Sequence, residues 1–346
     1  MFGALAGGVV IDRFGPRRTS VVADVFSGVA VAAVPIAAMT VGLGLALVVA
    51  LAFLGALLDA PGQTSRQVIL PDLAGIGGVR LERANSIFQA IESGSLLVGP
   101  AIAGVIVLAV GPLGAMWLDA GSFLISAAVI RLLVPDIRPD AGGGPADVAA
   151  GIRALATDRV LRMLTVVAAV ANLVYTPLFL VVLPALANRS GEGPAALGAM
   201  LAVLGAGLVG GALGYGVLAD RVSRRMALIT GFTGTGAAVM VASLELPLPA
   251  LLVALLAAGL MSGPINPIAF TVMQERVPAA TRGRVFGAVL GGVLVAAPVG
   301  MIVLGAAADV AGPRMALLIS GATILAVGGI VAILRTSREL DRSAPP

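Results

Sequence analysis

Cysteine, histidine and lysine are all missing from this 346-residue chain, and only 12% of its residues are charged. Without cysteine there is no disulfide, no thiol nucleophile and no thiolate metal ligand. Without histidine there is no Ser-His-Asp triad, no imidazole titrating near neutrality and no ordinary zinc set. Enzymes of those kinds are excluded, and neither a metal nor a cofactor is expected. Any proton chemistry must use Asp or Glu, with Arg supplying all 22 basic side chains. Aromatics are also scarce, at one Trp, two Tyr and ten Phe, so no platform exists on which bases could stack. The pI near 10.8 therefore does not indicate nucleic acid, because the arginines lie in short clusters between apolar runs rather than in one patch.

What remains is apolar. Hydrophobic residues make up 59% of the chain, and the mean hydropathy is +1.06. A soluble domain carries about 25% charged residues, so lipid must be the solvent for most of this sequence. A helix crosses a bilayer in about 20 apolar residues. Runs of that length fall at 19–40, 43–66, 84–109, 113–134, 161–187, 194–219, 226–245, 248–274, 284–308 and 313–334. The expected fold is all-α, with ten complete spans and, in residues 1–11, the end of an eleventh. The runs are continuous, unlike the alternating segments of a membrane barrel. Small residues at four-residue spacing, such as Gly207-Gly211 and Gly210-Gly214, let helices approach closely.

Twenty arginines lie in or beside alternate loops and the tail; only Arg189 and Arg314 fall on the other side. The positive-inside rule makes the first set cytoplasmic, together with the C-terminus. The chain is then expected to divide into an N-terminal bundle (1–134), a Pro/Gly-rich cytoplasmic linker (135–160), a C-terminal bundle (161–334) and a tail (335–346). The expected location is a bacterial-type plasma membrane.

The halves repeat. An offset of 208 lays Gly3-Ala4-Leu5 on Gly211-Ala212-Leu213, Gly8 on Gly216 and Asp12-Arg13 on Asp220-Arg221. An offset of 201 lays Arg83 on Arg284, Gly104 on Gly305 and Gly111-Pro112 on Gly312-Pro313. Such parallel repeats are a plan of secondary transporters. Against the second half, the first lacks a span and most of another at its front.

The loops Gly8–Arg18 (GVVIDRFGPRR) and Gly216–Arg225 (GVLADRVSRR) share the form G-x-x-x-D-R-x-[GS]…R-R. A generic positive-inside hairpin explains the arginines but not Gly and Asp at one spacing in both copies. With these loops the sequence resembles the major facilitator superfamily, departing at Pro16 and at Ser223, which replaces a Gly. The resemblance implies a gating role for Gly8, Asp12, Arg13 and Arg17, echoed by Asp220 and Arg221. It further implies that Asp12 caps a span starting near Thr281–Arg284, a placement favoured by up to about 2 kcal/mol. Gly94, Gly99, Pro100 and Gly104 resemble the antiporter motif of drug:proton exporters, with Ala103 in place of a second Gly; a kinked packing face is the plainer reading. The stretch Ala84–Ala127 looks like the macrolide-efflux and siderophore-exporter branch. By contrast, Gly205-x-Gly207-x-x-Gly210 lies mid-span, without the strand a dinucleotide fingerprint needs.

Acids within hydrocarbon cost about 2.5 kcal/mol or more and are functional candidates by default. Glu92, roughly 12 Å into its span at ~1.5 Å per residue, is the first candidate for carrying protons, and Asp59 the second. Asp24 and Arg66, with Asp59 as the structural alternative to its proton role, read as an inner-gate ion cluster with Arg13. In the superfamily the first, fourth, seventh and tenth spans line the cavity. The polar residues on matching spans are Gln63, Asn172, Tyr175, Thr176 and Asn266, and each serves equally well as an interhelical hydrogen-bonding group. A cavity with so few charges suits a lipophilic solute. The expectation is proton-coupled efflux of a lipophilic or drug-like molecule by alternating access, with lipid as the surrounding partner and no nucleic acid. Its rivals are an inactive truncated transporter and a non-transporting membrane scaffold.

Overall fold

The computed structural model describes residues 10–40, 42, 44–136, 148–189 and 193–341. Residues 1–9 of the incomplete span, Gly8 among them, lie outside these. In chain order the helices are α1 (Pro16–Thr40), α2 (Leu45–Leu57), α3 (Asp59–Ile76), α4 (Leu81–Leu133), α5 (Val148–Thr157), α6 (Arg159–Pro177), α7 (Leu183–Arg189), α8 (Gly193–Leu218), α9 (Arg224–Ala242), α10 (Leu248–Ser262), α11 (Ile265–Arg276), α12 (Arg282–Ala311) and α13 (Pro313–Ile333). There is no strand among the described residues. The fold is an all-α membrane fold, as its hydropathy requires.

Nine of the described helical stretches are long and apolar enough to cross a membrane, against ten expected. The difference lies in α4, whose 53 residues hold both the 84–109 and the 113–134 runs. Gly111 divides it at φ 73, a left-handed conformation that a side chain would resist, and Pro112 follows without an N–H. Pro177 does not break the helix after it. The chain continues through a π-helical turn, Leu178–Val182, into α7.

Two compact units are present. The first comprises residues 1–77, 99–156 and 277–291; the second comprises 78–98, 157–276 and 292–346. In the first, α1 turns its polar side inward: Thr19, Ser20, Asp24 and Ser27 are buried, whereas Val22, Val29, Ile36 and Met39 are exposed. Polar groups that would be costly in lipid are thus sheltered by α3 and the second half of α4. Gly62 of α3 faces Ala23, and Gly28 of α1 faces Phe123 and Ala120.

In the second unit, α8 and α10 meet backbone to backbone. A Cβ on Gly207 would stand 2.5 Å from the Leu256 carbonyl oxygen and 2.9 Å from the Gly259 Cα. Gly211 abuts Leu260 and Gly263 in the same seam, while Gly214 faces open space. Close approach substitutes dispersion contacts for the hydrophobic drive that lipid removes. The glycine run at 205–210 is therefore a packing seam.

Candidate functional site

The Asp12 loop belongs to the first unit. The turn between the helix ending at residue 14 and α1 is made by Gly15 at φ 87, next to Pro16. Asp12 accepts hydrogen bonds from the backbone N–H groups of Gly283 (2.9 Å) and Arg284 (3.2 Å), and from Arg284 Nε at 2.7 Å. The first turn of α12 supplies both N–H groups, so the carboxylate meets unsatisfied donors and the positive end of the helix together. The Asp12 side chain is only 5% exposed and that of Arg284 10%. Burial raises the Asp12 carboxyl above its ordinary value, and the bonds and charge from Arg284 and the Gly283 N–H offset this only in part. Arg13 points away, exposed, over the ring of Phe14. Arg17 instead donates to the carbonyl of Arg131 at the end of α4.

The second loop reproduces part of this pattern. Arg225 donates to the carbonyl of Ala332 at the end of α13 (2.7 Å) and to Ser337 Oγ (2.9 Å). Arg225 lies 208 residues beyond Arg17, and Ala332 lies 201 beyond Arg131, so the sequence repeat recurs as a repeated hydrogen bond. Ser223 is the N-cap of α9, accepting from the Met226 N–H. The residue that departs from the glycine pattern therefore satisfies a helix end. Asp220 pairs with Arg80, while Arg221 is exposed.

The arginine that sequence reasoning missed is Arg224. Its guanidinium bridges Glu82 of α4 (2.6 Å) and both carboxylate oxygens of Glu275 in α11 (2.6 and 2.7 Å). Arg80 adds a second positive charge 3.3 Å from Glu82. Burial alone would raise the Glu82 carboxyl. The hydrogen bond from Arg224, a backbone bond and the two arginine charges outweigh burial and hold it below its ordinary 4.5. Beside this cluster, Asn85 donates to Thr271 Oγ1 (2.9 Å) and Gln274 Oε1 (2.7 Å). The signal for Glu82 and Glu275 was weak, since both sit at span ends where an acid is unremarkable.

The intramembrane acids differ in setting. Asp24 is 2% exposed and holds Arg66 on one carboxylate oxygen and the Ser126 hydroxyl (2.6 Å) on the other. Arg13 is not part of this cluster. Asp59 is exposed on α3, and the nearby Ser27 hydroxyl donates to the Gly55 carbonyl (3.1 Å). Glu92 is also exposed, with a hydrogen bond from Gln89 one turn earlier. Gly94 lies near Val209 of α8, whereas Gly99 and Gly104 face open space and exposed Pro100 lies within the continuous helix before Gly111.

Three of the five polar cavity candidates engage neighbours. Asn172 donates to the Val293 carbonyl (2.8 Å) and accepts from Thr176 (2.9 Å), and Tyr175 accepts from Ser262 (2.9 Å). Gln63 and Asn266 are exposed. Among the described residues no cluster of acids has the arrangement to hold a metal ion.

Known proteins are similar to this chain in sequence or in architecture. The chain is 36% identical over 356 residues to the "Multidrug efflux pump Tap" of Mycolicibacterium fortuitum, covering 99% of this chain and 86% of that one. The protein of the same name from Mycobacterium tuberculosis strain H37Rv is 37% identical over 351 residues, at 99% and 83% coverage. Among solved structures, the human organic anion transporter MFSD10 superposes with a TM-score of 0.76 at 18% identity, covering 95% of this chain and 80% of that one. The E. coli fucose:proton symporter FucP gives 0.73 at 15%, covering 96% and 87%. At such identities the likeness concerns the fold. The sequence description of the Major Facilitator Superfamily matches residues 1–215 and 178–346, together the whole chain, and the protein belongs to that superfamily.

Proposed function

We propose that the protein exports lipophilic or drug-like small molecules in exchange for protons, by alternating access between an N-terminal bundle (1–134) and a C-terminal bundle (161–334). Near-full-length similarity to two multidrug efflux pumps carries this reading. The arginine distribution supports placement in a bacterial plasma membrane with the Asp12 loop and the tail in the cytoplasm. Asp12 on the start of α12, and Arg224 on Glu82 and Glu275, then act as two cytoplasmic latches. Each joins a residue of one sequence half to residues of the other, so each must break when the cytoplasmic side opens.

Glu92 and Asp59 are the proposed proton carriers. An acid exposed at hydrocarbon depth is tolerable only where water reaches it, and both side chains are exposed. Asp24 has a structural role, because its charge is already matched by Arg66. Gln63 and Asn266 are the polar groups available to a substrate; Asn172 and Tyr175 bond to neighbouring helices, and Thr176 bonds to Asn172 within α6. In an efflux-deficient bacterium, expression should lower accumulation of a lipophilic dye, and a protonophore should abolish the difference. Unchanged accumulation at verified expression would leave a non-transporting partner or an inactive fragment as the account.

A further inference from the structure

The linker, Pro/Gly-rich in sequence, contains a ten-residue helix, α5. Gly151 lies near its start and is buried. Glycine inside a helix costs about 1 kcal/mol relative to alanine, and Gly151 is not among the glycines with positive φ. Its presence is explained by a contact. A Cβ at this position would stand 2.6 Å from the carbonyl oxygen of Arg284, 2.9 Å from its carbonyl carbon and 3.3 Å from its Cβ. The α5 backbone therefore rests directly on the residue whose N–H and Nε hold Asp12. Backbone atoms cannot rotate away as the tip of a side chain can, so glycine alone permits this seat.

We propose that Gly151 is a positioning residue for the transport cycle, seating the linker helix on Arg284 and clamping the Asp12 latch shut. The inference rests on the reading of Asp12 as a latch. A helix seated there excludes water from the Asp12–Arg284 bond, and such bonds strengthen as the local dielectric falls. It also fixes the α12 start against the linker, so opening the latch requires α5 to lift from Arg284 or to move with it.

The absence of cysteine makes the test direct. Ile11, beside Asp12, is 0% exposed, and Ile11→Cys reports opening through its maleimide labelling rate in inverted membrane vesicles. In that background Gly151→Leu should label faster by roughly 5- to 100-fold, the span of one overpacked contact. Gly151→Ala should move the rate in the same direction and serves if Gly151→Leu fails to insert. Ile152→Ala, at an exposed neighbouring position, should leave it unchanged. Asp12→Asn should accelerate labelling by itself, and adding Gly151→Leu should accelerate it no further. A reporter at Ser320→Cys, buried in the second unit, should not respond to Gly151→Leu. Parent-rate labelling in both Gly151 variants beside fast labelling in Asp12→Asn would overturn the clamp alone. A parent rate in Asp12→Asn would overturn the latch reading with it, and acceleration at Ser320→Cys would show general loosening instead of a clamp.

Discussion

Replacing Asp12 by Asn removes the charge but little volume. The aspartate receives three hydrogen bonds, two from the first turn of α12 and one from the Arg284 guanidinium. Asparagine retains one acceptor oxygen and turns an NH2 group toward donors. Hydrogen bonds to a charged partner are worth about 1.5–3 kcal/mol each, and removing one member of a buried pair costs about 3–5 kcal/mol. Because asparagine keeps one acceptor, a loss of roughly 2–4 kcal/mol is expected, or about 30- to 700-fold in the latched-to-unlatched ratio. The loss falls on one state of the cycle. The variant should insert normally yet bind maleimide readily at Ile11→Cys, with dye efflux reduced by at least tenfold. Asp12→Glu should restore part of the activity. Efflux and labelling both within twofold of the parent would refute the argument from Asp12.

Arg224→Ala leaves Glu82 and Glu275 without their shared cation, so the Tm in detergent should fall, corresponding to about 1.5–3 kcal/mol for lost hydrogen bonds between charged partners. Because the folded Glu82 carboxyl lies below its ordinary 4.5, its contribution is fully present above that value and is lost as pH falls through the lowered one. Acid titration should accordingly destabilise the parent below about pH 4.5 and the Glu82→Gln variant less. In the α8–α10 seam, Gly207→Val should abolish stable insertion, whereas Gly99→Ala, at an open position, should be tolerated; equal expression of the two would refute the backbone-contact argument. Glu92→Gln should leave substrate binding intact while making efflux insensitive to the pH gradient, and retained coupling would remove Glu92 from the proton path.

The fold was readable because lipid imposes a one-dimensional rule: a helix needs about 20 apolar residues wherever the chain crosses, and hydropathy alone locates it. Even the division of α4 was marked, by Gly111-Pro112. The repeat carried further than the motif, since the Arg17–Arg131 and Arg225–Ala332 bonds recur at the two offsets found in the sequence. Pairing within the second copy was not readable. Arg221 stands in register with Arg13, but Arg224 makes the bridge, because the choice depends on which guanidinium reaches Glu82 and Glu275 across space. Polar residues on the candidate cavity spans were similarly ambiguous. Asn172 and Gln63 look alike in sequence, and only the position of the Val293 carbonyl separates a helix-binding group from an exposed one. The linker helix was hidden by flanking prolines and glycines that gave its surroundings the composition of a loop.

Proton-coupled efflux by this chain is measured in inverted vesicles carrying the protein, with an acid interior and a lipophilic dye outside. Dye should enter in proportion to the imposed pH difference, stop on adding a protonophore, and fall by at least tenfold in the Asp12→Asn variant. Entry that matches vesicles lacking the protein, at verified expression and at every pH difference, would contradict it.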